Sequence, residues 1–269
     1  MHRERNVPLT AVALGFFVFL YAPIAILILF SFNDSKRNFV WRGFTLKWYP
    51  TLFENDALIQ ALVVSLEVAV IAVVISTFLG TLLGLGIARL RSSAAGGASD
   101  TLLLLPMVTP EIVMGISLLL FFAQAAGAHG SIWQISIAHI TFSLSYVAII
   151  VRARAVSLDP RMEEAARDLG AGPVGAFWHV TLPLVAPAVA AGALIAFALS
   201  IDDLIVTTFN AGVGSSTLPL YIYSRIRFGV TPEINAISTI IVVLTALAML
   251  IAWRSGAFGG GRKRSGILG

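Results

Sequence analysis

Cysteine is absent from the 269 residues, and only 12% of them are charged. The first absence excludes disulfides, thiolate metal sites and a cysteine nucleophile, and it leaves the redox compartment open. The second excludes an ordinary soluble surface, because soluble domains carry roughly 25% charged residues and fewer leave large apolar patches bare. Also missing is any G-x-x-x-x-G-K-[ST] stretch, the loop that cradles nucleotide phosphates. What is there is apolar: 58% of residues are hydrophobic and the mean hydropathy is +0.90. That composition predicts an integral membrane protein. A pI of 9.8 and a net charge of +4 would raise the question of nucleic acid in a soluble protein. In a membrane protein the same charge is first a matter of topology, and no nucleic-acid partner is expected.

A bilayer core of about 30 Å needs roughly 20 apolar residues of helix. Six runs meet that need, at about residues 9–32, 58–88, 101–126, 135–151, 184–209 and 236–253. The expected fold is an all-α integral membrane protein of six transmembrane helices, one transmembrane domain over 1–269. The basic prelude to the first run resembles a signal peptide. The run is too long, however, and no A-x-A site follows, so an uncleaved first span is the expectation. With the N-terminus inside, the inner segments hold Arg3, Arg5, Arg89, Arg91, Arg152, Arg154, Arg161, Arg167, Arg254, Arg262, Lys263 and Arg264. The outer segments hold Lys36, Arg37, Arg42, Lys47, Arg225 and Arg227. The positive-inside rule therefore predicts that both termini are cytoplasmic. The Gly-rich basic tail, 256–269, is expected to be mobile.

Three loops are too organised to be plain connectors. The outer segment 33–56 is dense in aromatics, and outer segment 210–235 contains TLPLYIYSRIRFG, which predicts a short interfacial helix. Thr231-Pro232-Glu233 then reads as a cap, a first-turn proline and an acid opening the sixth span. The third is the cytoplasmic loop 152–183. Asp159-Pro160 predicts a helix start, Arg161 to Leu169 a short charged helix, and Gly170 its left-handed end. A second short helix is expected over about Val174 to His179. Such a helix–Gly–helix elbow suits docking of a soluble partner, with small Ala165 and Ala166 permitting close approach.

Glu164-Ala165-Ala166, then Gly170, Val180 and Leu182-Pro183, resemble the EAA loop of the membrane subunits of ATP-binding-cassette importers. Val180 stands where the pattern has Ile, and Pro173 stands where an acidic residue is expected. The resemblance extends through Leu20–Ile24, Ser31–Asn33, Gly43–Thr45, Lys47–Tyr49, Pro110–Met114, His139–Phe142, Leu199–Asp203 and Val230–Ala236. It is most similar to the second membrane subunit of bacterial spermidine/putrescine importers. The resemblance implies a type I importer permease in the bacterial inner membrane. Its partners would be a second homologous permease, two copies of a cytoplasmic ATPase and an extracytoplasmic binding protein. ATP and Mg would be held by the ATPase, with no cofactor, metal or catalytic residue on this chain. Glu164, Ala165, Ala166, Gly170, Leu182 and Pro183 would form the coupling element. Binding-protein docking and ATP binding would open the pathway outward, and hydrolysis would return it.

A carboxylate at the bilayer centre costs about 2.5–3.5 kcal/mol on insertion scales, so each one needs a reason. Asp202 and Asp203 fall late in the fifth span and diverge by about 100° on a helix, which excludes a shared-proton dyad. Two readings stand: anionic contacts for a cationic substrate, or a structural role in which the pair caps a helix end or bonds to Arg225 or Arg227. The resemblance favours the first and brings Ser200 into the same pathway segment. Glu111 falls about ten residues into the third span, behind Pro106 and Pro110, which remove backbone donors and permit an unwound turn. It is a second expected cation contact, or else a protonated acid in an interhelical bond. Glu67 has the same two readings with nothing to separate them, because the polyamine permeases carry a hydroxyl residue there.

Trp48 and Tyr21, at family positions, are expected to offer cation–π contacts, with Tyr146 a weaker candidate. Trp41, Tyr49 and Trp253 are read as interface anchors. Gly80-x-x-x-Gly84 predicts close helix packing, and His139, with no acid near it in sequence, predicts packing and not a metal site. An aspartyl hydrolase needs acids on facing helices and a serine hydrolase needs a Ser–His arrangement, and neither is apparent. A stand-alone carrier or channel would leave the EAA loop without a purpose. Within the family, a sugar, phosphate ester or ferric ion is the alternative cargo.

Overall fold

The computed structural model describes residues 7–35, 40–90, 94–127, 130–226 and 231–254. The predicted mobile tail, the basic prelude and Arg91, Lys36, Arg37, Arg227 and Val230 lie outside them. The described chain is all-α, with one isolated antiparallel bridge between Asn33 and Phe44. It divides into two units, residues 1–56 with 224–269, and residues 57–223.

The first unit contains α1 (Val7–Ser31), α2 (Trp48–Phe53) and α12 (Pro232–Arg254). Helix α1 is apolar on every side and packs on α12, as does α2. Between α1 and α2 the chain is fixed through Asn33, whose side chain donates to the Val40 carbonyl and accepts from the Arg42 N–H. Phe32 stacks on Phe44 with ring centroids 5.4 Å apart, so part of the aromatic density of this loop is internal packing, while Phe53 stays exposed. Helix α12 opens at Pro232, with the Ile234 N–H reaching the Thr231 carbonyl, as Thr-Pro-Glu predicts.

The second unit holds α3 (Asp56–Arg89), α4 (Ala94–Val108), α5 (Glu111–Ala126) and α6 (Ile132–Val156). It continues through α7 (Arg161–Asp168), α8 (Pro173–Ala176), a π-helical turn (Phe177–Thr181), α9 (Leu182–Asp202) and α10 (Ile205–Asn210). Helix α11 (Leu218–Ile226) follows, where a short helix was predicted. Gly80 and Gly84 explain how α3 meets α6. A Cβ at Gly80 would stand 2.8 Å from Val147 Cβ, and one at Gly84 would stand 2.5 Å from the Ala148 carbonyl oxygen. Val147, Val151 and Ala196 are fully buried, which makes the α6–α9 contact the dry centre of this unit.

Four described helices are long and apolar enough to cross a membrane: 10–31, 56–89, 132–156 and 173–202. The third predicted span is not one straight helix. Helices α4 and α5 meet at 101° across a two-residue break. The cause is local: Pro110 is extended, has no N–H to continue α4, and Thr109 closes that helix on the Leu105 carbonyl. The depth expected for Glu111 from a straight rise does not apply. The fifth predicted span is also broken, since α9 ends at Asp202 and α10 starts anew at Ile205. The apolar stretch of α12, 232–247, falls among the shorter apolar helices.

Candidate functional site

The two helix breaks share one cleft of about 430 Å³ in the second unit. Glu111, Met114, Phe142, Tyr146, Asp202 and Asp203 are among its walls. Glu111 enters it as the first residue of α5, where a carboxylate favours the helix dipole. Asp202 enters as the last residue of α9, where the dipole disfavours it. Both side chains are exposed in the cleft. Among the described contacts, neither carboxylate has a hydrogen bond or an ion pair. Tyr146, the weaker aromatic candidate, stands beside them.

Asp203 is a different kind of acid. Its Oδ2 accepts the Thr207 N–H at 2.8 Å and the Thr207 hydroxyl at 2.7 Å, and Oδ1 faces the Val206 N–H at 3.3 Å. The carboxylate thereby caps α10, which is the helix-cap alternative raised for the Asp pair. Oδ2 also lies 3.2 Å from His139 Nε2. Ser200 is buried and turned to His139 Nδ1, 2.8 Å away, instead of lining the cleft. This His139 cluster has no counterpart in the sequence reading, because the partners lie 61 to 68 residues away along the chain.

The two aromatics expected with the acids belong to the first unit. Trp48 is buried there, with its indole N–H donating to the Asn33 carbonyl at 2.8 Å. Tyr21 is exposed on α1 and stacks with Phe17 at 6.4 Å. Of the presumed anchors, Tyr49 pairs its hydroxyl with Ser31 at 2.9 Å and Trp41 packs edge-on against Phe30. Glu67 is exposed on α3.

The loop 152–183 is built as its sequence predicts at most positions. Asp159 accepts the Arg161 N–H at 3.0 Å and pairs with its guanidinium at 2.8 Å. Those contacts hold the Asp159 carboxyl below the usual carboxylate range. Gly170 ends α7 with φ +91°, a conformation other residues rarely adopt. The second helix differs from expectation: α8 is one turn long and runs through a π-helical turn into α9, which Leu182-Pro183 opens. Pro173 takes the first position of α8, where its missing N–H costs nothing. Glu164 and Ala165 are exposed, Ala166 is half-buried, and Leu169 (90% exposed) and Val174 present bare apolar surface beside them.

Glu163, which the EAA pattern does not single out, is the hub of this face. Its Oε1 lies 2.9 Å from Arg167 and 3.4 Å from Arg89 at the end of α3, and its Oε2 faces the Thr181 hydroxyl at 3.4 Å. The α3 end, α7 and the π-helical turn are thus joined on one face of the unit.

Long apolar helices, an exposed helical loop that carries the EAA pattern and a cleft at paired helix breaks are the make-up of a membrane transport subunit. The chain belongs to the family of binding-protein-dependent transport system inner membrane components, whose pattern it matches over residues 80–255. It is 40% identical over 245 residues to the putrescine transport system permease protein PotI of Escherichia coli K12, covering 88% of this chain and 86% of that one. It is 43% identical over 236 residues to the spermidine/putrescine transport system permease protein PotC of the same organism, covering 88% of each. A bacterial ABC transporter involved in import of the acidic polysaccharide alginate shares the fold. The TM-score is 0.68 at 17% identity, over 95% of this chain and 97% of that one.

Proposed function

We propose that the chain is the membrane-spanning subunit of an ATP-driven importer for a polyamine of the spermidine or putrescine kind, and that the α5–α9 cleft is part of its pathway. The observation that carries the reading is the pair of carboxylates, Glu111 and Asp202, that have no partner among the described residues and are held at two helix breaks in one cleft. Broken helices at membrane depth are how transporters bring charge and backbone groups to a cation. Two negative groups complement two ammonium groups, and Tyr146 adds an aromatic face worth about 0.5–2 kcal/mol to a desolvated cation. The names of the relatives point to the same cargo.

In this reading the chain pairs with a second homologous permease and docks two ATPases, which hold ATP and Mg. A binding protein delivers the cargo from outside, and both termini are cytoplasmic. Docking uses Glu164, Ala165, Ala166 and Gly170, backed by bare Leu169 and Val174. Leu182 and Pro183 carry the motion into α9. The chain itself performs no covalent chemistry.

The test is reconstitution in lipid with candidate partner chains and binding protein. ATP hydrolysis is measured against a panel of putrescine, spermidine, a sugar and a phosphate ester. Stimulation by a polyamine alone is the expected result. Stimulation by the sugar or the ester, and not by either polyamine, would overturn the assignment of cargo.

A further inference from the structure

The imidazole of His139 is fully buried in α6, and both of its nitrogens are engaged. Nδ1 lies 2.8 Å from Ser200 Oγ, in the last turn of α9. Nε2 lies 3.2 Å from Asp203 Oδ2, at the break, and 3.1 Å from Thr207 Oγ1, in α10. One ring therefore ties both flanks of the α9–α10 break to α6. The donors and acceptors close into a consistent set. Thr207 gives its hydroxyl proton to Asp203, Nε2–H is shared between Asp203 and Thr207, and Nδ1 accepts from Ser200. Phe142, a wall of the cleft, packs on the imidazole with centroids 5.3 Å apart.

Asp202 precedes the anchored Asp203 and carries no contact of its own among the described residues. Its direction therefore follows from the backbone at the end of α9, which His139 brackets through Ser200 and Asp203. We infer that His139 is a positioning residue for the cation pathway: it locks the α9–α10 break so that the Asp202 carboxylate faces Glu111 across the cleft. This rests on the reading that Asp202 and Glu111 meet the cargo. A histidine that merely filled the core would leave the charge of the cleft unchanged when replaced by a group of similar size.

The absence of cysteine supplies the test. Ala198 lines the cleft and is exposed, so Ala198→Cys places a single thiol there. In the assembled transporter in lipid, that thiol is modified with a cationic and with an anionic methanethiosulfonate reagent, and the ratio of rates reads the local charge. A ratio favouring the cation is expected, falling about tenfold with Asp202→Asn. His139→Leu is expected to lower it to a similar extent. His139→Gln, which can place a donor where Nε2 lies, restores most of it, and His139→Asn, which reaches only the Nδ1 position, does not. If His139→Leu fails to assemble, the Gln and Asn variants decide. An unchanged ratio in His139→Leu, or equal ratios in the Gln and Asn variants, with Asp202→Asn still lowering it, would overturn the positioning role alone. No effect of Asp202→Asn would overturn the cleft reading itself.

Discussion

A carboxylate at the C-terminal end of a helix faces the negative end of the dipole, at a cost of about 0.3–1 kcal/mol. Asp202 sits there with no compensating donor among the described residues, whereas Asp203 next to it is held by the start of α10 and by His139. The two should therefore respond differently to the same change. Asp202→Asn is expected to leave thermal stability in detergent the same or slightly higher, as the unfavourable dipole contact is relieved. It should raise the half-saturating cargo concentration for uptake about tenfold or more, since a bond to a charged group is worth about 1.5–3 kcal/mol. Glu111→Gln should act in the same direction. Asp203→Asn should lower the melting temperature of the purified protein, because it removes a buried, charge-assisted cap worth about 1–3 kcal/mol. A melting temperature unchanged in Asp203→Asn would contradict the cap. Sequence spacing placed both acids late in one span, and the resemblance implied a pathway there, but neither could divide their roles. That division is made by His139, which is 64 residues away from Asp203 along the chain.

Helices follow from local rules, and here those rules were legible. The GxxxG spacing of Gly80 and Gly84 predicted close packing, and the α6 backbone occupies the space a side chain would need. Gly84→Leu is expected to abolish recovery of monodisperse protein, whereas Gly86→Leu, with open space around its Cα, should be tolerated. The positive φ of Gly170 was equally legible from its place after a short charged helix. Gly170→Val should cost about 1–2 kcal/mol locally and weaken cargo-stimulated ATP hydrolysis more than it weakens protein stability. Less legible were the consequences of proline. Pro110 announced an interruption, yet nothing in its neighbourhood specified a 101° turn, because the angle is set by what α5 packs against, α10 and α6. The contact of Trp48 was not legible for a similar reason: nothing near it in sequence shows that its indole N–H donates to the Asn33 carbonyl.

At the scale of the whole subunit, the excess of basic residues predicts that both termini face the cytoplasm. Reporter fusions at residue 1 and at residue 269 are expected to be active only on that side. The Arg89–Glu163 pair is compatible with this, since it puts the end of α3 and the coupling helix on one face. Helix α9 connects that face to the cleft as a rod of 21 residues, ~30 Å long. The coupling loop joins one end of it through a π-helical turn, and His139 fastens the other. A rod held at one end pivots, so a tilt of about 10° would move the Leu182 end by ~5 Å while Asp202 turns almost in place. Spin-label distances between nucleotide-free and nucleotide-bound transporter should accordingly change more near Leu182 than near Asp202. The imidazole is then a fulcrum. In the proposed cycle the ATPase stroke would change which side of the membrane can reach the two carboxylates, and would leave the charge they present to the cargo as it was.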